Sequence, residues 1–202
     1  MTRATLLAAA ALLLCAAAER PVLRPNRDVD VTYALDAGDG APVHERLRWA
    51  AAAQQLRVDP PAPGLYVIID FAARRMSTVR LAERTVIEMA APDNVTGMPD
   101  SAAAAAVRQG ADTVAGLPCT DWDMADAAGG MARLCLTDDG VLLRARADGR
   151  TLLSAESVRY GPLDAELFRV PAGYARQRVA PQATSAPPGT ARSAHTRLGS
   201  PQ

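Results

Sequence analysis

The chain has 202 residues and a formal net charge of zero, with 22 basic and 22 acidic residues, and every basic residue is arginine. The arginines are scattered, which excludes a nucleic-acid surface built on a basic patch, and the absence of lysine reads as the base composition of a GC-rich bacterial genome. Two Trp, four Tyr and two Phe are too few for a base-stacking platform.

The start, Met1-Thr2-Arg3 followed by the uncharged run Ala4 to Ala18, has the layout of a secretory signal. The run is short of the ~20 apolar residues a membrane span needs. Ala16-Ala17-Ala18 supplies the small residues of a cleavage site, so residues 1–18 are expected to leave before Glu19. The mature chain then has no transmembrane segment and is periplasmic or secreted. Leu12-Leu13-Leu14-Cys15 offers the alternative of lipid anchoring through Cys15, although Leu14 is bulky where a lipoprotein box carries a small residue.

Beyond the signal, short strands dominate. Val29, Val31, Tyr33 and Leu35 alternate with polar residues, the period of a strand with one buried face. After the turn Ala37-Gly38-Asp39-Gly40, a second strand from Val43 to Trp49 sets Val43, Leu47 and Trp49 on one face and His44, Arg46 and Arg48 on the other. Gln55 to Asp59 is a third, with Leu56 and Val58 inward, stopped by Pro60-Pro61-Ala62-Pro63-Gly64. Leu65 to Phe71 is apolar on both faces and is placed centrally. Arg75 to Arg80 and Thr85 to Met89 follow.

Pro92 to Pro99 reads as a flexible approach to one helix. Asp100 or Ser101 caps it, it runs through Ala102 to Gln109, and Gly110 ends it. Strands resume at Asp112 to Leu117, Thr120 to Met124, Met131 to Thr137, Val141 to Arg146 and Thr151 to Tyr160. Turns are expected at Ala127-Ala128-Gly129-Gly130, Asp138-Asp139-Gly140 and Asp148-Gly149. Asp164 caps a helical turn through Phe168, and from Ala175 the Pro/Ala-rich composition predicts a disordered tail to Gln202. Some eight to eleven strands at roughly 8–12-residue spacing argue for a curved antiparallel sheet or barrel with minor helix, spanning 21–174.

Once Cys15 departs, Cys119 and Cys135 form an even pair in an exported protein, which predicts a disulfide worth roughly 3 kcal/mol. A reactive thiol or metal site is the competing reading, and no histidine stands near either cysteine in sequence. His44 falls in the outward register of its strand and His195 in the tail, with no Gly-x-Ser-x-Gly elbow to make a triad. Asp121, Asp123, Asp126 and Gly129 have some calcium-loop character but fail its spacing, and Ala132 stands where a bidentate Glu belongs. Asn94-Val95-Thr96 matches a glycosylation acceptor, discounted in a bacterial protein. No phosphate-binding glycine loop is present. No cofactor, metal or catalytic residue is expected, and no nucleic-acid partner.

Gly116-Leu117-Pro118-Cys119-Thr120-Asp121-Trp122, then Leu134-Cys135-Leu136-Thr137-Asp138-Asp139-Gly140-Val141-Leu142-Leu143-Arg144, and Leu167-Phe168-Arg169-Val170-Pro171-Ala172-Gly173-Tyr174 resemble an uncharacterised exported bacterial family. That family is in turn similar to the LolA/LolB periplasmic lipoprotein carriers. The resemblance implies an unclosed antiparallel half-barrel whose concave apolar face is covered by helices. This chain offers one convincing helix where the carriers have several.

The inward sets Val29, Val31, Tyr33, Leu35, Leu47, Trp49, Leu65, Val67 and Ile69 are the candidates for an apolar cavity between sheet and helix. The competing reading is that they are packed core. The expectation is a non-enzymatic periplasmic protein that binds a lipid or lipoprotein acyl chain. The alternative is a structural or protein-interaction module of the envelope with a filled core.

Overall fold

The computed structural model describes residues 19–38, 40–92, 100–125 and 130–179. The expected signal, the Asn94 acceptor, Asp126, Gly129 and residues 180–202 of the expected tail lie outside the described residues.

Twelve strands form one sheet: β1 Val29–Leu35, β2 Val43–Ala50, β3 Gln55–Asp59, β4 Leu65–Asp70, β5 Arg75–Arg80, β6 Thr85–Ala90, β7 Val107–Val114, β8 Leu117–Ala125, β9 Met131–Leu136, β10 Leu142–Ala147, β11 Arg150–Tyr160 and β12 Ala175–Arg178. The helix α1 is Asp100–Ala104, and a 3₁₀ turn spans Ala165–Phe168. The sheet runs β12-β6-β5-β4-β3-β2-β1-β11-β10-β9-β8-β7 and stays open, with β12 and β7 as its edges. All pairs are antiparallel except β12 on β6. The fold is a mainly β, unclosed sheet with one short α-helix among the described residues.

Alternation along each strand becomes continuous rows across the ladder. Val29, Trp49, Leu56, Ile69, Met76 and Met89 pair in succession from β1 to β6. Leu35, Leu153, Ala145, Leu134 and Trp122 make a comparable row from β1 across β11, β10 and β9 to β8. A residue slipped by one in any of these strands would turn its whole apolar set to the opposite face, so the rows fix the register. The sheet curls. Ile69 of β4 and Val141 beside β10 line a single cavity of about 280 Å³, although in a flat sheet five ladder steps of about 4.8 Å would separate their strands.

The opposite face of β1 to β3 is ionic. Asp30 pairs with Arg46, and Arg48 and Arg57 both approach Asp59. Farther along, Tyr66, Ile68, Val79 and Val86 form a second apolar cluster on that face, packed against Val170 and Tyr174. This is why β4 is apolar on both sides: one face serves the cavity row and the other receives the C-terminal segment. Asp164 caps the 3₁₀ turn by accepting from the Glu166 amide.

Four expectations need correction. First, α1 ends at Ala104, and Val107–Val114 is strand. Alanine propensity favours a helix here, but so short a piece has little stability of its own, and pairing with β8 satisfies the backbone instead. Gly110 sits at a register shift in that strand rather than at a helix stop. Second, no strand runs through Asp112 to Leu117. Ala115 and Gly116 both have positive φ, 51° and 76°, and form the two-residue turn whose twist suits a hairpin. Third, the ordered chain does not end at Tyr174, because Ala175–Arg178 joins the sheet. Arg176 and Arg178 pair there with Glu88, which is only 5% exposed. Fourth, α1 does not roof the cavity. Ala102 packs with Trp122, Met124, Leu134 and Leu136 at the other end of the sheet.

Candidate ligand pocket

Seven of the nine predicted residues, Val29, Val31, Tyr33, Leu35, Leu47, Trp49 and Ile69, line the 280 Å³ cavity. Its size is at the lower margin of ligand pockets, about 300–1,000 Å³. Val67 packs against the same cluster without reaching the cavity. Leu65 is half-buried at the far end of β4 and lines nothing there. Leu56 and Val58 of β3 and Leu153 of β11 complete the sheet-borne wall. The β3 pair was legible as inward by alternation. Leu153 carried no signal of its own, because β11 reaches β1 only through long-range pairing.

The roof comes from two segments that sequence alone does not place. Pro25 lies ahead of β1, and Gly140, Val141 and Leu142 enter β10. They hold each other and the wall. The Trp49 indole N–H donates to the Pro25 carbonyl at 2.7 Å. The Asn26 amide donates to the Asp139 carbonyl at 3.0 Å, and the Tyr33 hydroxyl donates to the Leu142 carbonyl at 2.6 Å. Gly140 is required: its φ is +92°, and a Cβ there would lie 2.4 Å from the Arg24 carbonyl oxygen.

An ionic knot sits at the outer side of this roof. Asp139 accepts from Arg27 Nε at 2.6 Å and from the Thr137 and Tyr160 hydroxyls, while the Arg27 guanidinium lies 3.7 Å from the Tyr160 ring centroid. Burial pushes the Asp139 carboxyl up, but its hydrogen bonds from Thr137 and Arg27 outweigh this and hold it below the usual carboxylate range. Inside the cavity, burial lifts the Tyr33 hydroxyl well above the usual phenol value.

Cys119 and Cys135 are joined as a disulfide between β8 and β9, with Cα atoms 5.4 Å apart. His44 pairs with Glu156 in an exposed contact. Asp121 and Asp123 do not converge on a cation. Asp123 is paired with Arg133, and Asp121 faces Arg144, which also holds Asp112.

The arrangement defines a class: an open antiparallel sheet that shelters a small, apolar, lidded cavity. No protein-family model matches the chain, and no curated protein matches it. Solved structures share the fold. An uncharacterised conserved protein of Thermus thermophilus is similar with a TM-score of 0.55 at 14% identity, over 76% of this chain and 91% of that one. MucB is similar with a TM-score of 0.50 at 14% identity, over 75% of this chain and 60% of that one. The chain thus spans about three fifths of MucB. MucB in complex with MucA(peri) scores 0.47 at 16% identity, over 72% of this chain and 54% of that one.

Proposed function

We propose that the protein is a non-enzymatic component of the bacterial envelope, periplasmic or secreted, that seats an apolar group of a lipid or lipoprotein in the cavity. One observation carries this reading. The apolar rows of β1 to β4, packed in one core cluster with residues such as Val141 and Leu143, border a 280 Å³ space walled by Val31, Leu47, Trp49 and Ile69. A space of that size takes part of an acyl chain rather than a whole lipid. Burying such a segment contributes about 0.8 kcal/mol per methylene.

Gentle purification of the mature protein from its native envelope, followed by mass spectrometry, tests the reading. The expected result is a co-purifying lipid, together with binding of a fluorescent fatty-chain probe that Leu47→Trp abolishes by filling the space. No co-purifying lipid and no probe binding would sink it.

An envelope interaction module is the second reading, favoured by the open β7 edge. Val107 is 56% exposed there, and an unpaired edge is a template for strand addition. The likeness to MucB, a protein solved in complex with MucA, also supports it. Under this reading Leu47→Trp leaves partner capture unchanged, and removal of residues 180–202 or a proline in β7 reduces it.

A further inference from the structure

Among the described residues the cavity wall contains one ionisable carboxyl. Glu45 lies on β2 opposite Tyr33, and its side chain lines the cavity beside Leu47 and Tyr33. Among the described residues no arginine or histidine lines that space, in a chain that carries 22 arginines. The basic neighbours of Glu45 on β2 turn to the other face, where His44 pairs with Glu156 and Arg46 with Asp30. The Tyr33 hydroxyl is already committed to the Leu142 carbonyl, so it does not donate to Glu45. Burial lifts the Glu45 carboxyl above the usual glutamate value, and no cation draws it back down.

A partly desolvated carboxylate without a cation carries a cost, and that cost is recovered when a cation with N–H donors arrives. We propose that the pocket selects single-chain amphiphiles whose head is a primary ammonium, the alkyl chain lying against Val31, Leu47 and Trp49 and the ammonium on Glu45. This rests on the reading of the cavity as a ligand site and specifies its ligand. A fatty-acid carboxylate in the same pose sets two like charges side by side in a medium of reduced dielectric, which is unfavourable. A fatty alcohol gains the chain contacts and no ion pair.

The test compares decylamine, 1-decanol and decanoate on the mature chain at neutral pH, by calorimetry and by fluorescence of Trp49. Trp122 is buried beneath α1 and serves as a constant background. Decylamine is expected to bind tightest. Glu45→Gln is expected to weaken decylamine about tenfold, to the level of decanol, with decanol itself unchanged. Leu47→Trp is expected to abolish binding of both. If decanol or decanoate binds the wild type as tightly as decylamine, or if Glu45→Gln leaves decylamine unchanged, the head-group assignment falls while the cavity remains a ligand site. If decylamine survives Leu47→Trp, it binds elsewhere and the assignment also falls. If none of the three binds, the ligand-site reading falls with it.

Discussion

Around β8 to β10 the apolar face is sealed by the chain itself: Ala102 of α1 and Leu23 of the N-terminal segment lie on Trp122, Met124, Leu134 and Leu136. Around β1 to β4 an equally apolar face packs with Val114, Cys119, Cys135, Leu143 and Ala155 and still leaves a cavity beneath Pro25 and the turn at Gly140. Both regions are hairpins with the same alternation, so the strands do not decide which one becomes core and which stays open. The covering segments decide it. The Cys119–Cys135 disulfide joins β8 to β9, but its cysteines pack in the cavity-side cluster with Val29, Trp49 and Ile69, and the roof of the cavity is held by hydrogen bonds.

That contrast predicts unequal sensitivity. Trp122→Ala in the sealed region is expected to cost about 3–5 kcal/mol in urea unfolding, and Leu47→Ala on the half-buried cavity wall about 1 kcal/mol or less. Equal losses would mean the cavity wall is as tightly packed as the core. Cys119→Ser is expected to cost about 3 kcal/mol. Thiol titration of the oxidised, folded mature protein is expected to find no free thiol, and two free thiols would contradict the cross-link.

Gly140→Ala is expected to cost about 2–3 kcal/mol, through a left-handed backbone and a clash with Arg24. It should also disturb probe binding, because Gly140 belongs to the roof. A thermal melt with a parallel binding titration reads both effects.

The edges give smaller effects. A chain ending at Tyr174 loses β12 and leaves Glu88 without Arg176 and Arg178, at about 2 kcal/mol relative to a chain ending at Val179. Burial pushes Glu88 up, but the two arginines outweigh it and hold its carboxyl below the usual glutamate value. The stability this pair gives is therefore present above that usual value and is lost as pH falls through the folded one. Denaturant midpoints across the acid range check this.

Glu45→Gln should have the smallest effect and the opposite sign. The Glu45 carboxyl is raised by burial, so the folded state binds the proton more tightly and loses stability as pH rises through the folded value. The variant is expected to gain under about 1 kcal/mol at neutral pH and nothing in acid, read from the same midpoints.

Much of this was legible locally. The alternation of Val29 to Leu35 and of Leu47 and Trp49 put those residues on one face, and Asp164 read correctly as a cap. Glu45 also had a signal, since it stands in the inward register between Val43 and Leu47, where a charge is out of place. Ala115 gave none, because alanine seldom takes positive φ. The alanine run misled, because helix propensity is weak beside a strand partner that satisfies the backbone.

The sequence by itself determined the strand class, the faces and the cysteine pair, because side-chain alternation and loop closure are near-neighbour properties. Tertiary structure alone decided that α1 and Leu23 cover one end, that Pro25 and Gly140 roof the other, and that Ala175–Arg178 pairs with β6. Those contacts join residues far apart in the chain. They depend on how far the sheet curls, and no short stretch of sequence encodes that.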